Sequence, residues 1–188
     1  MNRIDIIEEQ KIIGVTPDGI WGIKSQAAAQ AYLRDLMPSP SPWPKRNAAA
    51  AFYGAPGDAR KHTQIDVTGL GVKYDNAEVT KITCNKKIAA SLLRIIKRLA
   101  TFPEGKQALA RYAGVYSNRS IRGGTATSIH AFAAAIDLDA ENNGNFTHWP
   151  TNSTMSLKVA AEFAKEGFLS AGPFWNRDAM HHEAINHF

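Results

Sequence analysis

Cysteine is almost absent from this chain and long apolar runs are missing, and each absence excludes a class of protein. A single cysteine, Cys84, among 188 residues leaves no disulfide to form within the chain, so a disulfide-stapled fold is excluded. No stretch approaches the roughly 18 consecutive apolar residues that a spanning helix needs, so no transmembrane segment is expected. The opening residues, MNRIDIIEEQKIIG, are too acidic for a signal peptide and carry no uninterrupted apolar centre, so synthesis and folding in a cytosol are expected. Zinc-finger spacing and an RNA-binding aromatic signature are also missing, which argues against nucleic acid as a partner.

What is there has an ordinary balance. Hydrophobic residues at 44% and charged residues at 21% suit a globular chain of one domain, with or without a small appendage, and not a disordered one. Twenty-two basic against seventeen acidic side chains give a net charge of +5. That favours an anionic partner, such as nucleic acid, anionic lipid or bacterial cell wall, without choosing among them. The charges are scattered except for a modest cluster at Arg94, Lys97 and Arg98.

Three segments differ in composition. In residues 1–36, an amphipathic stretch from Ile4 to Ile13 stops at Gly14, Thr16-Pro17-Asp18-Gly19 reads as a turn, and alanine-rich spacing predicts a helix from Ser25 to Leu36. Residues 37–46, MPSPSPWPKR, hold four of the nine prolines. Such a segment is extended and reads as a linker. Residues 47–188 read as one α+β domain, a small antiparallel sheet with flanking helices. Within it a short helix is expected near Asn47 to Phe52 and a turn at Gly54-Ala55-Pro56-Gly57. The clearest helix spans Lys86 to Leu99, with Ile88, Leu92, Ile95, Ile96 and Leu99 on one face. A second short helix is expected from Glu104 to Tyr112, a buried strand from Ala133 to Leu138, and a helix from Ser156 to Lys165 ending at Gly167. Asp178 to Phe188 reads as a short strand or bend followed by loose residues.

The histidines that matter chemically lie beside carboxylates. His130 precedes Asp137 and Asp139; His181 and His182 lie between Asp178 and Glu183. Two imidazoles and one carboxylate with an open position form a standard ligand set for catalytic zinc. His130 and Asp137 would be roughly 23 Å apart on one strand and about 10 Å apart on one helix. A turn must therefore separate them, with Asp137 on the strand that follows. An aspartate in an apolar strand is costly to bury without a neutralising partner, and a cation would serve. Asp178 and His181, three apart, reach one site only through a bend. There a carboxylate can take the proton of a water activated by zinc. Taken singly, each histidine is more often a core or surface residue than a ligand, and HHE is also the composition of a metal-scavenging tract. Spacing alone leaves the metal site open.

The pattern Ser128-x-His130-x-x-Ala133-x-Ala135-x-Asp137 resembles the SxHxxGxAxD motif of the VanY-like zinc peptidases, the D-alanyl-D-alanine carboxypeptidase and L-alanyl-D-glutamate endopeptidase family. Asp178-Ala179-Met180-His181 resembles that family's closing D/E-x-x-H motif. Tyr116 to Gly124 resembles its upstream arginine-bearing segment. The three come in the family's order, and the similarity runs from about Trp43 to Glu183. The resemblance implies a Zn2+ site made of His130, Asp137 and His181, with Asp178 as the general base. It implies that Arg119, or failing that Arg122, steadies the oxyanion or a substrate carboxylate. Ser128 would contact substrate or brace the site, unless it only caps a turn. The chain departs from the family twice, with Ala133 in place of a glycine and His182 where an aromatic residue usually follows the last ligand. The family position favours His181 over His182. Glu183 is the reserve base and Asp139 the reserve ligand, although solvated surface is the expectation for Asp139, Glu183, His62, His148 and His187.

Gly14-Val15-Thr16-Pro17-Asp18-Gly19-Ile20-Trp21-Gly22, followed by Lys24-Ser25-Gln26-Ala27-Ala28, resembles the core of a small helical peptidoglycan-binding module, truncated at its start. A helical hairpin packed on the larger domain is the equal alternative. Together these resemblances imply a monomeric phage endolysin that acts on bacterial peptidoglycan and lyses the cell. It would stay in the host cytoplasm until released to the wall. A bacterial D,D-carboxypeptidase for wall remodelling and a non-catalytic wall-binding protein are the alternatives.

Overall fold

The computed structural model describes residues 4–188. Helix α1 (Ile6–Ile12) starts where the Asp5 carboxylate accepts hydrogen bonds from the Ile7 and Glu8 amides. It stops at Gly14, in the left-handed region at φ +69°. Helix α2 (Ile23–Leu36) ends at the proline-rich stretch, and the short α3 (Ala49–Tyr53) follows it. Strand β1 (His62–Asp66) pairs antiparallel with β4 (Lys81–Asn85). Between them β2 (Lys73–Tyr74) and β3 (Ala77–Glu78) form a hairpin. Its two turn residues, Asp75 and Asn76, both have positive φ, the conformation that matches strand twist in a two-residue turn.

Helices α4 (Ala89–Leu99) and α5 (Pro103–Leu109) lead into β5 (Tyr112–Gly114). Strand β6 (Ala135–Leu138) is followed by α6 (Ala140–Asn143), α7 (Leu157–Ala164), β7 (Leu169–Ser170), α8 (Ala171–Trp175) and β8 (His181–Glu183). These strands make a four-stranded antiparallel sheet in the order β5-β6-β8-β7. The architecture is α+β, as the residue pattern predicts.

The core explains the helix positions. Ile88, Leu92, Ile95, Ile96 and Leu99 are all fully buried, the face that the 3.6-residue period marks out. Burying each such side chain is worth about 1.5–3 kcal/mol. The other face of α4 carries the basic cluster, two of whose charges are partnered: Arg94 pairs with Glu166, and Arg98 with both Glu162 and Glu166. These two arginines brace α4 against α7 and the residues just after it, while Lys97 is exposed.

The first 36 residues share the core of the rest. Ala29 and Leu33 of α2 are fully buried in the same cluster as α4 and α7. Trp21 meets Trp149 edge to face at 5.1 Å. The Gln26 and Gln30 side chains both donate to the Pro173 carbonyl. Buried Glu9 accepts from the Leu157 amide at the first turn of α7. This is the packed helical hairpin weighed above. The proline-rich segment does not continue the helix, as expected, but it runs through bends instead of staying extended, and it is a strap lying on the domain. Trp43 is buried with its indole N–H on the Glu166 carbonyl at 2.8 Å, and Lys45 bridges to Asn186.

The fold differs from the residue pattern in several places, among them the strand expected from Ala133, which begins at Ala135 because Ala133 is left-handed. Tyr112 belongs to strand β5, and the helix expected to reach it ends at Leu109. The helix expected from Lys86 begins at Ala89, because Lys81–Asn85 runs as a strand beside β1. The residues after β8 are anchored: Ala184 and Ile185 are buried, the Tyr53 hydroxyl donates to the Ala184 carbonyl, and the Asn186 amide donates to Pro44.

Candidate metal centre

The β6–β8 ladder places Asp137 directly opposite His181 and Ile136 opposite His182. Cross-strand partners project to the same side of a sheet, so Asp137 and His181 meet while His182 is sent to the far face. His130 arrives from a 3-10 turn over Ile129–Phe132. The Ser128 hydroxyl caps that turn by accepting from the His130 amide at 3.3 Å. The chain then reverses at Ala133, which is left-handed at φ 52° and ψ 36°. That is a glycine-favoured conformation, costing an L-residue about 1–2 kcal/mol. It is held in place because the Ala133 carbonyl accepts from the Asn85 amide and the Asn85 side chain donates to Phe132. This reversal is the turn that the seven-residue spacing required.

Three donor atoms converge as a result. His130 Nε2 lies 3.2 Å from Asp137 Oδ1, His181 Nδ1 lies 3.0 Å from the same oxygen, and the two nitrogens are 3.1 Å apart. All lie within 4.8 Å of one another, and the group can hold a metal ion. His130 Nδ1 is 2.8 Å from the Val115 carbonyl. A carbonyl only accepts, so the proton sits on Nδ1 and the Nε2 lone pair faces the triad. His181 Nε2 lies 3.1 Å from Glu183 Oε2, and the Trp175 ring stacks near the same imidazole at 5.9 Å.

Charge is strongly organised here. Burial would raise Asp137, but the facing imidazoles of His130 and His181 outweigh it and hold the carboxyl well below its usual range. Burial opposes a charge on His181, yet its bonds to Asp137 and Glu183 prevail and push it up to about 10. Glu183 is likewise held low against burial by His181, His187 and Arg46.

Asp178 joins the same cleft through a bend. Its φ is +57°, and its carbonyl accepts from the His181 amide at 2.9 Å. Its Oδ1 is buried and has no hydrogen-bond partner among the described residues. Burial raises its pKa, opposed by the charge of His181. Arg119 and Arg122 are exposed on an arm in which Ser120 pairs with Thr127. Both line a cleft of about 270 Å³ together with Ser128, the triad and Asp178.

The surface expectation fails for two carboxylates. Glu183 is 1% exposed and Asp139 2%. Asp139 is no ligand: its two oxygens accept from Asn142 and Thr154, each at 2.6 Å. Glu183 has no oxygen to spare for a base, since Arg46 and His187 hold it along with His181. His148 is exposed as expected. His62 is half-buried against Tyr116. His182 lies flat on Phe163 at 3.8 Å, with Nδ1 2.8 Å from the Ser170 hydroxyl, and burial pushes its pKa down to about 3. The sequence held no sign of Arg46 at this site, because 137 residues separate it from Glu183.

Comparison with protein-family models, with curated proteins and with solved structures finds no match to this chain. Among the described residues no helix is long and apolar enough to cross a membrane.

Proposed function

We propose that this chain is a zinc-dependent peptidase of the VanY-like type that hydrolyses a bond in the D-amino-acid-containing peptide of bacterial peptidoglycan, and that it serves as a phage endolysin. One arrangement carries the reading. Two imidazoles and a carboxylate converge within 4.8 Å, and a buried carboxylate oxygen without a partner, on Asp178, shares their cleft. A purely structural metal site has closed coordination and no use for that fourth group.

The donor set fits zinc, which takes imidazole nitrogen and carboxylate oxygen readily. His130, Asp137 and His181 would hold it. When bound, the ion supplies Lewis acidity, polarising a carbonyl and making water nucleophilic near neutral pH. The remaining work falls to side chains. Asp178 accepts the proton of the attacking water as oxygen bonds to the scissile carbonyl carbon. It then donates that proton to the amide nitrogen as the C–N bond breaks, so one group serves as base and then acid. A carboxyl whose affinity for protons is raised by burial suits that alternation. Arg119 or Arg122, at the cleft rim, offers a permanent charge to the oxyanion or to a substrate carboxylate. Ser128 braces His130 from the same wall.

The test is mass spectrometry of fragments released from purified sacculi. The reading expects new amino and carboxyl ends at one peptide bond and intact glycan. Release of glycan fragments alone, or of nothing, contradicts it.

A further inference from the structure

Glu183 borders the cleft and is held by three side chains. Its side chain is 1% exposed. Oε2 lies 3.1 Å from His181 Nε2, both oxygens lie 2.9 Å from Arg46 Nη2, and Oε1 lies 2.6 Å from His187 Nε2. We propose that Glu183 and Arg46 are positioning residues for the ligand His181: Glu183 accepts a hydrogen bond from the His181 Nε2–H so that Nδ1 is offered to the ion, and Arg46 keeps Glu183 in place to do so. This rests on the metal reading above.

The physical case has three steps. A histidine can present either ring nitrogen, and what lies behind the ring decides which one. Behind His130 the acceptor is a backbone carbonyl, which no side-chain change can remove. Behind His181 it is a side chain, and that side chain carries a charge. A carboxylate buried this deeply keeps its charge and its rotamer only if partners neutralise and hold it. Arg46 supplies a permanent positive charge, and its own place is fixed from two directions. It follows the strap residue Lys45, which bridges to Asn186, and the Asn186 amide in turn donates to Pro44. The strap and the C-terminal turn thus clasp each other beside β8. Metal affinity is thereby tied to a residue at position 46 that contacts neither the ion nor any of its ligands.

Calorimetric titration of the full chain with zinc alone tests this. Glu183→Leu should weaken zinc binding by about 10–100-fold, and Arg46→Gln by about tenfold. Glu183→Gln keeps an acceptor oxygen and should recover part of the loss. Metal-free melting temperatures of the same variants separate lost positioning from lost folding. A second measurement needs no variant: long-range proton–nitrogen NMR of the zinc-loaded wild type should find the His181 proton on Nε2. Zinc affinities of Arg46→Gln and Glu183→Leu within about threefold of wild type, or a His181 proton on Nδ1, overturn the assignment. A wild-type chain that takes up no zinc overturns the metal reading and this inference together. Wild-type binding with indifferent variants overturns this inference alone.

Discussion

Asp137 and His181 stand directly opposite each other in the β6–β8 ladder, and the metal centre depends on that register. A slip of one residue would bring His182 to Asp137 and send His181 into the core. The far face guards against the slip. There His182 is packed flat on Phe163 and bonded to Ser170, a setting that suits a neutral ring and not a ligand. Adjacent histidines thus have opposite duties, one polar and facing the cleft, the other acting as an aromatic core residue.

Asp178→Asn should abolish the chemistry and spare the metal. The asparagine keeps the shape but cannot take up or return a proton. Turnover on wall peptide should fall by about 10²–10⁴-fold, while zinc stoichiometry, read by elemental analysis, stays as in wild type. Turnover within a few-fold of wild type would remove Asp178 from the mechanism.

Glu9 gives the fold a dependence on pH that is separate from the cleft. Burial is the main cause that raises its pKa from 4.5 to about 7, and the Leu157 amide offsets this only in part. A raised carboxyl favours the folded state while it is protonated. Its contribution is complete below about 4.5 and is lost as pH climbs through about 7. Above that range the cost is on the order of 3 kcal/mol. Glu9→Gln keeps an oxygen for the Leu157 amide and removes the charge. Thermal melts of the two proteins should therefore coincide near pH 4.5 and separate above pH 7, with the variant more stable. Curves that stay parallel across that range would contradict the assignment.

Removing residues 1–45 should cost the rest its structure. The deletion uncovers the α7 and α8 surfaces against which α2 packs, bares Trp149 where it meets Trp21, takes Glu9 from the start of α7, and strips the strap from Glu166. Calorimetry of the full chain should give one cooperative transition, and the truncated chain should lose most of its near-ultraviolet circular dichroism. Two separable transitions, or a stably folded truncation, would mark the N-terminal block as an independent module.

How far the sequence could be read depended on the range of each signal. The 3.6-residue period marked the α4 face correctly, and the seven-residue gap from His130 to Asp137 demanded a reversal that Ala133 supplies. Asp178 and His181 required a bend, and the positive φ of Asp178 provides it. The elements that escaped, β1 to β5, β7, α6 and α8, are two to five residues long and too short to express a period. Glu183 escaped for another reason. A carboxylate beside two histidines near a chain end resembles a solvated terminus, and its partner Arg46 lies 137 residues away along the chain. The partners of Arg94 and Arg98 escaped for the same reason, their glutamates being 64 to 72 residues away.

The central claim is that a zinc ion on His130, Asp137 and His181 drives cleavage of wall peptide, and metal dependence tests it most directly. Purified protein should carry about one equivalent of zinc. It should lose its release of peptide fragments from sacculi on dialysis against a chelator and regain it when zinc is returned. Undiminished digestion by a protein shown to be free of metal would contradict the account.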